Sequence, residues 1–455
     1  MTVREALERA AKQIGDRFKD QPLQEAAVRM TIGTSLRGLG EAERAEPHLQ
    51  RSLALYRRVS GSNDLGTLYA MSALARVYDD ERKFDQALPL YQETLKLMKA
   101  KFGPDDEKTL NVMNNLAIAY HHAGKLDQAL PLFEEALKLK KVRLGPTNRE
   151  TLIAMNNLAA TYHRLDQALP LYQQTLELMR ARLGPYDPYT QLAIGNLADA
   201  YSDSGKLDQA LPLWEEALKL RKTVLGLNNP DTLAAMKARG ALYARLGQWD
   251  KAAADFVRVR EINPEDHEAW HRLAAFLVAS GQVDVYREHC RKSAERFGQT
   301  SDPNTAERIA KDCLILPASG VDLDVVAKMA DTAAAATNHM DTRWFQLVKG
   351  LAEYRQGRFP GAAEWVNKTL TGTGKEPERD VQAYMVLAMA HYQLKQTDEA
   401  RAAFASGGEI ERTKLPKLES GDIGGMWLDW IIAHALMREA KALIEGSSET
   451  KAETR

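Results

Sequence analysis

His267, Glu268 and His271 give the sharpest catalytic signal in the sequence. On a helix, a His-Glu-x-x-His pattern places two imidazoles on one face, where they can bind zinc while the glutamate activates a zinc-bound water. The usual third ligand is missing because positions 274 and 277 hold Ala and Leu, although Glu288 or Glu295 could in principle serve. The same five residues also begin an apolar helix. We therefore interpret the match as coincidental and keep a zinc-dependent hydrolase only as an alternative.

Two further features carry weaker chemical signals. The segment from Gly372 to Lys375 reads Gly-Thr-Gly-Lys, but it lacks the spacing of a phosphate-binding loop and the hydroxyl residue after the lysine, which favours a simple turn. Cys290 and Cys313 are the only cysteines, too few for a disulfide framework or a cysteine-rich zinc module, and we expect them to be inert buried thiols. The sequence therefore predicts no catalytic residue, no metal site and no cofactor.

Asparagine recurs in a fixed place within successive similar segments. Asn115, Asn157 and Asn196 each stand one residue before a leucine, and Asn114 and Asn156 precede the first two of them. A side-chain amide offers a donor and an acceptor together, so it can bind the backbone of an extended peptide whatever the peptide's side chains are. The alternative is that these amides only bridge neighbouring segments or face water.

The segments that carry these asparagines belong to an internal repeat. The hexapeptide Asp-Gln-Ala-Leu-Pro-Leu occurs four times, at intervals of 42, 39 and 42 residues, beginning at Asp85, Asp127, Asp166 and Asp208. Apolar residues at helical spacing precede and follow a glycine or turn signal in each unit, which predicts two helices per unit. One pair cannot bury its apolar face alone, so the pairs are expected to stack. The 39-residue interval lacks three residues after Tyr162, and we expect the preceding helix to end early.

The order of residue types in each unit resembles the tetratricopeptide repeat: a large residue, Leu-Ala, an aromatic residue, then Ala, a second aromatic and a closing turn. The long unit, with the phrase from Thr109 to Ala117 followed by Leu144-Gly-Pro, resembles the kinesin-light-chain type. This resemblance implies an all-α superhelical solenoid of about nine or ten antiparallel helix pairs. It also implies that the five asparagines line its inner surface and bind peptide. His121, His122 and His163 could line the same groove, although a solvated surface is favoured for them.

The later part of the chain has a second resemblance. The stretches 270–274, 286–290, 296–300 and 306–313 are similar to the C-terminal repeat regions of certain bacterial serine/threonine protein kinases. The sequence contains no glycine-rich loop after a strand, no His-Arg-Asp and no Asp-Phe-Gly, so a kinase domain is not predicted. The resemblance suggests a signalling setting, and it leaves a stand-alone relative and a fragment or accessory half of such a kinase as alternatives.

Composition limits the classes of partner and the compartment. The 455 residues include 61 Lys and Arg against 62 Asp and Glu, and this balance argues against nucleic acid as the main partner. The N-terminus is charged from its fourth residue, unlike a secretion signal, and no run of 18 uncharged apolar residues occurs. These features predict a soluble cytoplasmic protein without a membrane partner.

The sequence thus predicts a non-enzymatic scaffold or regulatory module that binds a protein or peptide along the inner surface of the repeat array. Self-association through apolar array ends remains an alternative. The predicted organisation is N-terminal helices with a degenerate first repeat (1–66), regular repeats (67–266), divergent helical repeats (267–342), further repeats (343–415), a C-terminal capping helix (416–446) and a disordered tail (447–455).

Overall fold

The computed structural model describes residues 17–162, 165–372 and 374–446, together with positions 9 and 14. These residues form helices and no strand, which confirms the all-α prediction. The helices are α1 (Pro22–Gly38), α2 (Ala42–Ser60), α3 (Leu65–Asp80), α4 (Phe84–Phe102), α5 (Glu107–His122), α6 (Leu126–Leu144), α7 (Arg149–Thr161), α8 (Leu165–Arg182), α9 (Pro188–Asp203), α10 (Leu207–Leu225), α11 (Pro230–Arg245), α12 (Trp249–Ile262), α13 (His267–Ala279), α14 (Val283–Phe297), α15 (Pro303–Leu314), α16 (Leu323–Ala334), α17 (Thr342–Arg355), α18 (Phe359–Thr371), α19 (Pro377–Gln393), α20 (Thr397–Lys414), a 3-10 turn (Leu418–Ser420) and α21 (Trp427–Ile444). Among these described helices, the odd-numbered ones up to α19 are the first helices of ten pairs, the even-numbered ones are the second helices, and α21 follows the last pair.

The turns between pairs explain why one helix ends and the next begins. Gly145 ends α6 with a φ of 93°, a left-handed conformation that disfavours any residue with a Cβ atom. Three residues later, the Asn148 side chain accepts a hydrogen bond from the backbone N–H of Glu150 and caps α7. The Thr151 hydroxyl then donates to the carbonyl of Gly145 at 2.8 Å. Equivalent threonine-to-glycine bonds close the turns before α3 and α11.

Small residues let the two helices of a pair approach closely. Gly33 on α1 is one example: a Cβ atom built there would lie only 2.6 Å from Cγ of Leu49 on α2. Neighbouring pairs are joined by an aromatic side chain of the next first helix. The amide of Gln92 on α4 donates to the Tyr120 hydroxyl on α5 at 2.6 Å, and Gln50 makes the corresponding bond to Tyr78 at 3.1 Å. The predicted repeat pattern therefore corresponds to real packing positions.

The shortened repeat behaves as the sequence predicts. α7 has 13 residues, whereas the equivalent helix α5 has 16. The backbone of Tyr162 is extended, with φ of −68° and ψ of 123°, and α8 begins at Leu165. The helix therefore ends early and does not merge with its successor. His163, Thr373 and the predicted tail 447–455 lie outside the described residues.

The chain divides into two compact units, residues 1–200 and residues 201–455, which we call unit 1 and unit 2. Within unit 1, neighbouring first helices contact one another in the pairs α1–α3, α3–α5 and α5–α7. Among the described residues of unit 1, neighbouring second helices do not contact one another as extensively as these first helices do. The first helices are therefore the more closely spaced row in unit 1. No described helix is both long and apolar enough to cross a lipid bilayer.

Candidate functional site

The five asparagines lie on the first helices of unit 1, beside its buried core. Leu116, Leu158 and Leu197, the leucines that follow three of them, are each 3–4% exposed and anchor α5, α7 and α9 in the core. The preceding residues Asn115, Asn157 and Asn196 remain partly exposed. In a helix, residues next to a buried position lie at the edge of the core-facing stripe, which explains their intermediate exposure. We call the row of five amides the asparagine ladder.

Four of the five amides of the asparagine ladder form two bridges between neighbouring first helices. Nδ2 of Asn157 on α7 donates to Oδ1 of Asn114 on α5 at 3.5 Å. Nδ2 of Asn196 on α9 donates to Oδ1 of Asn156 on α7 at 3.3 Å. Asn114 and Asn156, which accept these bonds, are only 8% and 4% exposed. Each donating amide uses one of its two N–H groups in the bridge, and the carbonyl oxygen and second N–H remain for other partners.

Aliphatic side chains flank the asparagine ladder on the same helices. Ile118 lies three residues after Asn115, and Ile153 and Leu192 precede Asn157 and Asn196 by four residues, so helical geometry places each pair on one face. Leu192 is 46% exposed, and the two isoleucines are partly exposed. The first-helix face of unit 1 thus combines amides with uncharged apolar side chains. We call this surface the amide face.

A buried lysine lies behind the amide face, and the sequence reasoning missed it. The Lys140 ammonium on α6, 1% exposed, donates to Oδ1 of Asn111 at 3.0 Å and pairs with Glu150 at 3.3 Å. Burial lowers the pKa of Lys140, and the nearby Glu150 opposes that shift. Equivalent positions of the neighbouring repeats hold Met98 and Met179. A lysine at a position where the neighbouring repeats have methionine is the sequence signal that could have identified Lys140 as a buried residue.

The predicted groove histidines differ in their surroundings. Nδ1 of His122, at the end of α5, lies 3.0 Å from a carboxylate oxygen of Asp79 on α3. The hydrogen bond to Asp79 raises the pKa of His122 above its ordinary value, although partial burial opposes the shift. The pair ties two neighbouring first helices together at one end of the amide face. His121 is partly exposed on the same turn, and His163 lies outside the described residues.

The His-Glu-x-x-His residues lie on α13 in unit 2, where His271 and Glu268 are engaged with other side chains and Nδ1 of His267 is buried without a hydrogen-bond partner among the described residues. Nδ1 of His271 shares a 2.7 Å hydrogen bond with Asp312, and burial lowers the His271 pKa far below its ordinary value, so the imidazole is neutral. Glu268 is held by Arg272 at 2.6 Å and by Lys237 at 3.3 Å. Across the described residues, no group of three or more His, Cys, Asp or Glu is placed to hold a metal ion. The geometry therefore does not support the zinc-hydrolase alternative.

Unit 2 differs from unit 1 because α21 covers its first helices. The helix contacts α13, α19 and α20. The Trp427 ring stacks on Phe276 of α13, with centroids 4.9 Å apart. Asp429 pairs with Lys311 of α15 at 3.3 Å, and Nη2 of Arg355 on α17 donates to Glu439 at 2.7 Å. A cap confined to the array end would contact only the last pair, so the predicted capping role describes only part of what α21 does.

The chain belongs to the tetratricopeptide repeat family. Family models described as tetratricopeptide repeat match residues 24–100, 80–142, 108–181, 150–223 and 189–265, and a further one matches residues 347–407. Such arrays generally mediate protein–protein interaction and are typically non-enzymatic. A comparison with curated proteins gives no significant match.

Solved structures of repeat proteins are similar to part of the chain. Two crystal structures described as Podosopora anserina kinesin light chain nearly identical TPR-like repeats are 19% identical over 45% of this chain and 97% of theirs, with TM-scores of 0.39 and 0.38. BtubC (BKLC) from P. vanneervenii is 24% identical over 49% of this chain and 91% of its own, with a TM-score of 0.43. Family membership rests on the sequence matches alone.

Proposed function

We propose that the chain is a peptide-binding module whose amide face in unit 1 holds an extended segment of a partner protein. The observation that carries this proposal is the bridging of amides between α5, α7 and α9. Asn115, Asn157 and Asn196 are assigned direct contact with the peptide because they are partly exposed. Asn114 and Asn156 are assigned a supporting role, since they are nearly buried and orient the amides that donate to them.

The mechanism is preorganisation of polar groups on a rigid surface. Asn157 and Asn196 are already held by a neighbouring helix and lose little rotamer freedom when a peptide binds, so less of the interaction free energy is spent on ordering the receptor. Its remaining donor and acceptor match the alternating C=O and N–H groups of an extended backbone. Ile118, Ile153 and Leu192 supply apolar contact beside these bonds, which favours a peptide with uncharged aliphatic side chains.

The first helices of unit 2 are covered by α21, so unit 1 is the more suitable unit for binding a peptide. Trp427, Ile432 and Leu436 of α21 are 5%, 0% and 0% exposed, so this helix is packed as part of the unit 2 core. Displacing it would expose a large apolar area to water, which is costly. A partner therefore meets a less obstructed first-helix face in unit 1.

The biological setting is proposed from sequence resemblance. We place the module among repeat proteins of the kinesin-light-chain type, in a cytoplasmic signalling context related to serine/threonine kinases, either as a stand-alone relative or as part of a longer kinase. The module is proposed to work without catalysis, cofactor, metal, nucleic acid or membrane. Self-association through the ends of the array is the rival use of the same fold.

A peptide selection followed by an affinity comparison tests the proposal. A random peptide library displayed on phage is selected against the full chain, and the best synthetic peptide is measured by fluorescence anisotropy. Replacing Asn115, Asn157 and Asn196 together by Ala removes three amides and should raise the Kd at least about tenfold, since each lost hydrogen bond contributes roughly 0.5–1.5 kcal/mol. The melting temperature should fall only modestly, because the higher helix propensity of Ala offsets part of the loss of two bridges to the nearly buried Asn114 and Asn156.

A matched control is available on the second helices of unit 1. Gln86, Gln128 and Gln167 are exposed amides at equivalent positions of three repeats, and their joint replacement by Ala should leave the Kd unchanged. Equal Kd values for the asparagine variant and the wild type would refute the role of the asparagine ladder. A selection that yields no peptide above background would refute peptide binding itself.

A further inference from the structure

A cavity of about 320 Å³ lies within unit 2, between the first helices and the start of α21. α13 and α15 form two of its sides, the first residues of α17 form a third, and residues 425–429 complete the wall. Its volume is at the lower end of the range of small-molecule sites. Two residues of the His-Glu-x-x-His pattern, Glu268 and His271, line it. The proposed peptide-binding function does not use this cavity.

Most charges that line the cavity are already balanced within its walls. The Glu268 carboxylate is held by Arg272 and by Lys237. Lys311, 4% exposed, lies 2.8 Å from Glu307 and 3.3 Å from Asp429. Burial is the main cause that raises the pKa of Glu307, and the nearby Asp429 carboxylate adds to the rise. Glu307 therefore favours its neutral form, while Asp429 balances the Lys311 ammonium. These pairs leave little net charge to attract a ligand.

Asp341, 3.5 Å from Nδ1 of His339, lines the cavity without a Lys or Arg partner in the described part of the chain, and Arg308 is the one cation of the wall without an ion pair there. Arg308 lines the cavity from α15, is partly exposed, and has neither an ion pair nor a hydrogen bond to any described residue. Asn304 lies one helical turn before it and also lines the cavity, so an amide and a guanidinium lie on one face of α15. The carboxyls of Glu307 and Asp312 lie within electrostatic range of Arg308, but its N–H groups are not used in an ion pair with any described residue, so the guanidinium is suited to a planar carboxylate or a phosphate.

Aromatic rings form the remaining walls. Trp344 and Phe345 at the start of α17 and Trp427 at the start of α21 all line the cavity. Trp427 is held in place by its stacking on Phe276 and by the Arg272 guanidinium, 5.6 Å from its ring centroid. Trp344 is partly exposed, with the Lys311 ammonium 4.6 Å from its ring centroid, and it offers most of the aromatic surface, because Trp427 and Phe345 are buried.

We propose that the unit 2 cavity binds a small anion carried on a single aromatic ring, an aryl carboxylate or an aryl phosphate. Arg308 is the charge partner of the anion, Asn304 donates a further hydrogen bond, and the ring packs against Trp344 and Trp427. The proposal is independent of peptide binding in unit 1, because it uses different residues in a different unit.

Four probes of similar size test the ligand class on the full chain. Benzoate and phenyl phosphate carry the predicted chemistry, benzamide is the neutral match, and benzylamine reverses the charge. Isothermal titration calorimetry should give saturable binding of benzoate or phenyl phosphate, with benzamide at least about tenfold weaker and benzylamine weaker still. The comparison of the two anions decides between a carboxylate and a phosphate. No saturable binding of either anion, or tighter binding of benzylamine, would overturn the proposal.

Substitution of Arg308 tests the assigned residue. Arg308→Gln should weaken binding of the better anion about tenfold or more, while Arg308→Lys, which keeps the positive charge, should retain part of it. Arg401→Gln on α20 is the matched control, since Arg401 is exposed and does not line the cavity. Equal affinity in Arg308→Gln and Arg401→Gln would assign the site elsewhere and overturn the proposal. Should Arg308→Gln fail to fold, the wild-type order of the four probes still decides the ligand class.

Discussion

At the residue scale, the asparagine ladder separates into two kinds of amide. Asn114 and Asn156 are nearly buried acceptors, whereas Asn157 and Asn196 are partly exposed donors. The sequence predicts that all five lie together, because each stands at a fixed distance from a core leucine. It cannot predict which member of an Asn-Asn pair is covered, since that depends on the distance of the neighbouring first helix. Their contact with peptide stays a prediction.

Lys140 provides a stability test at the same scale. We expect Lys140→Met, which introduces the residue found at the equivalent positions 98 and 179, to raise the free energy of unfolding by about 1 kcal/mol. The buried ammonium has lost its hydration, and its partners Asn111 and Glu150 remain partly exposed, so water can replace the lysine for both. Urea unfolding measures the change. Lys138→Met, at an exposed position of α6, is the control and should have little effect, while a loss of stability in Lys140→Met would contradict the account.

The contact between His122 and Asp79 predicts a pH dependence. Because the pKa of His122 is raised in the folded protein, the contact stabilises the fold fully below the ordinary histidine value of about 6.5, and this contribution is lost as the pH rises through the folded pKa. His122→Gln should therefore be less stable than the wild type at pH 5.5, by no more than about 0.5 kcal/mol because the side chain is half exposed, and the deficit should disappear at pH 9. Thermal unfolding at both pH values measures it. A deficit that grows with pH would have the wrong sign.

At the element scale, the helices and turns of the repeats follow from local sequence. Residues of the same kind as Gly145, Asn148 and Thr151 stand at the equivalent turn positions of other repeats. Each forms its structure with residues only a few positions away in sequence. The early end of α7 is predictable for the same reason. The position of α21 is not, because it depends on pairs such as Lys311 with Asp429, which are far apart in sequence and carry no periodic signal.

Trp427 tests whether α21 is part of the unit 2 core. We expect Trp427→Ala to lower the free energy of unfolding by about 3–5 kcal/mol, because the ring is 5% exposed and its loss leaves a cavity against Phe276. The measurement is urea unfolding followed by circular dichroism. Trp365→Ala on α18 is the control, with a smaller expected loss because this ring is partly exposed. Equal losses in the two variants would mean that α21 is only loosely attached.

At the scale of the whole molecule, the two units use the same repeat in different ways. The first helices of unit 2 are covered by the chain's own α21, and its cavity is lined by α13, α15, α17 and residues 425–429. Unit 1 carries the asparagine ladder with its flanking aliphatic side chains. The sequence predicts regular repeats in unit 1 and in parts of unit 2, and divergent helical repeats over 267–342. The difference between the two units arises from long-range packing, which a local pattern does not encode.

The side-chain amide resonances of Asn115, Asn157 and Asn196 give the most direct test of the asparagine ladder. Nitrogen-15 correlation spectra of the full chain are recorded during titration with the selected peptide, and single Asn→Gln variants assign the signals. We expect these three amide signals to shift saturably, with the Kd found by anisotropy, while the amides of Gln86, Gln128 and Gln167 stay in place. Saturable peptide binding that leaves all three asparagine amides unshifted would contradict it.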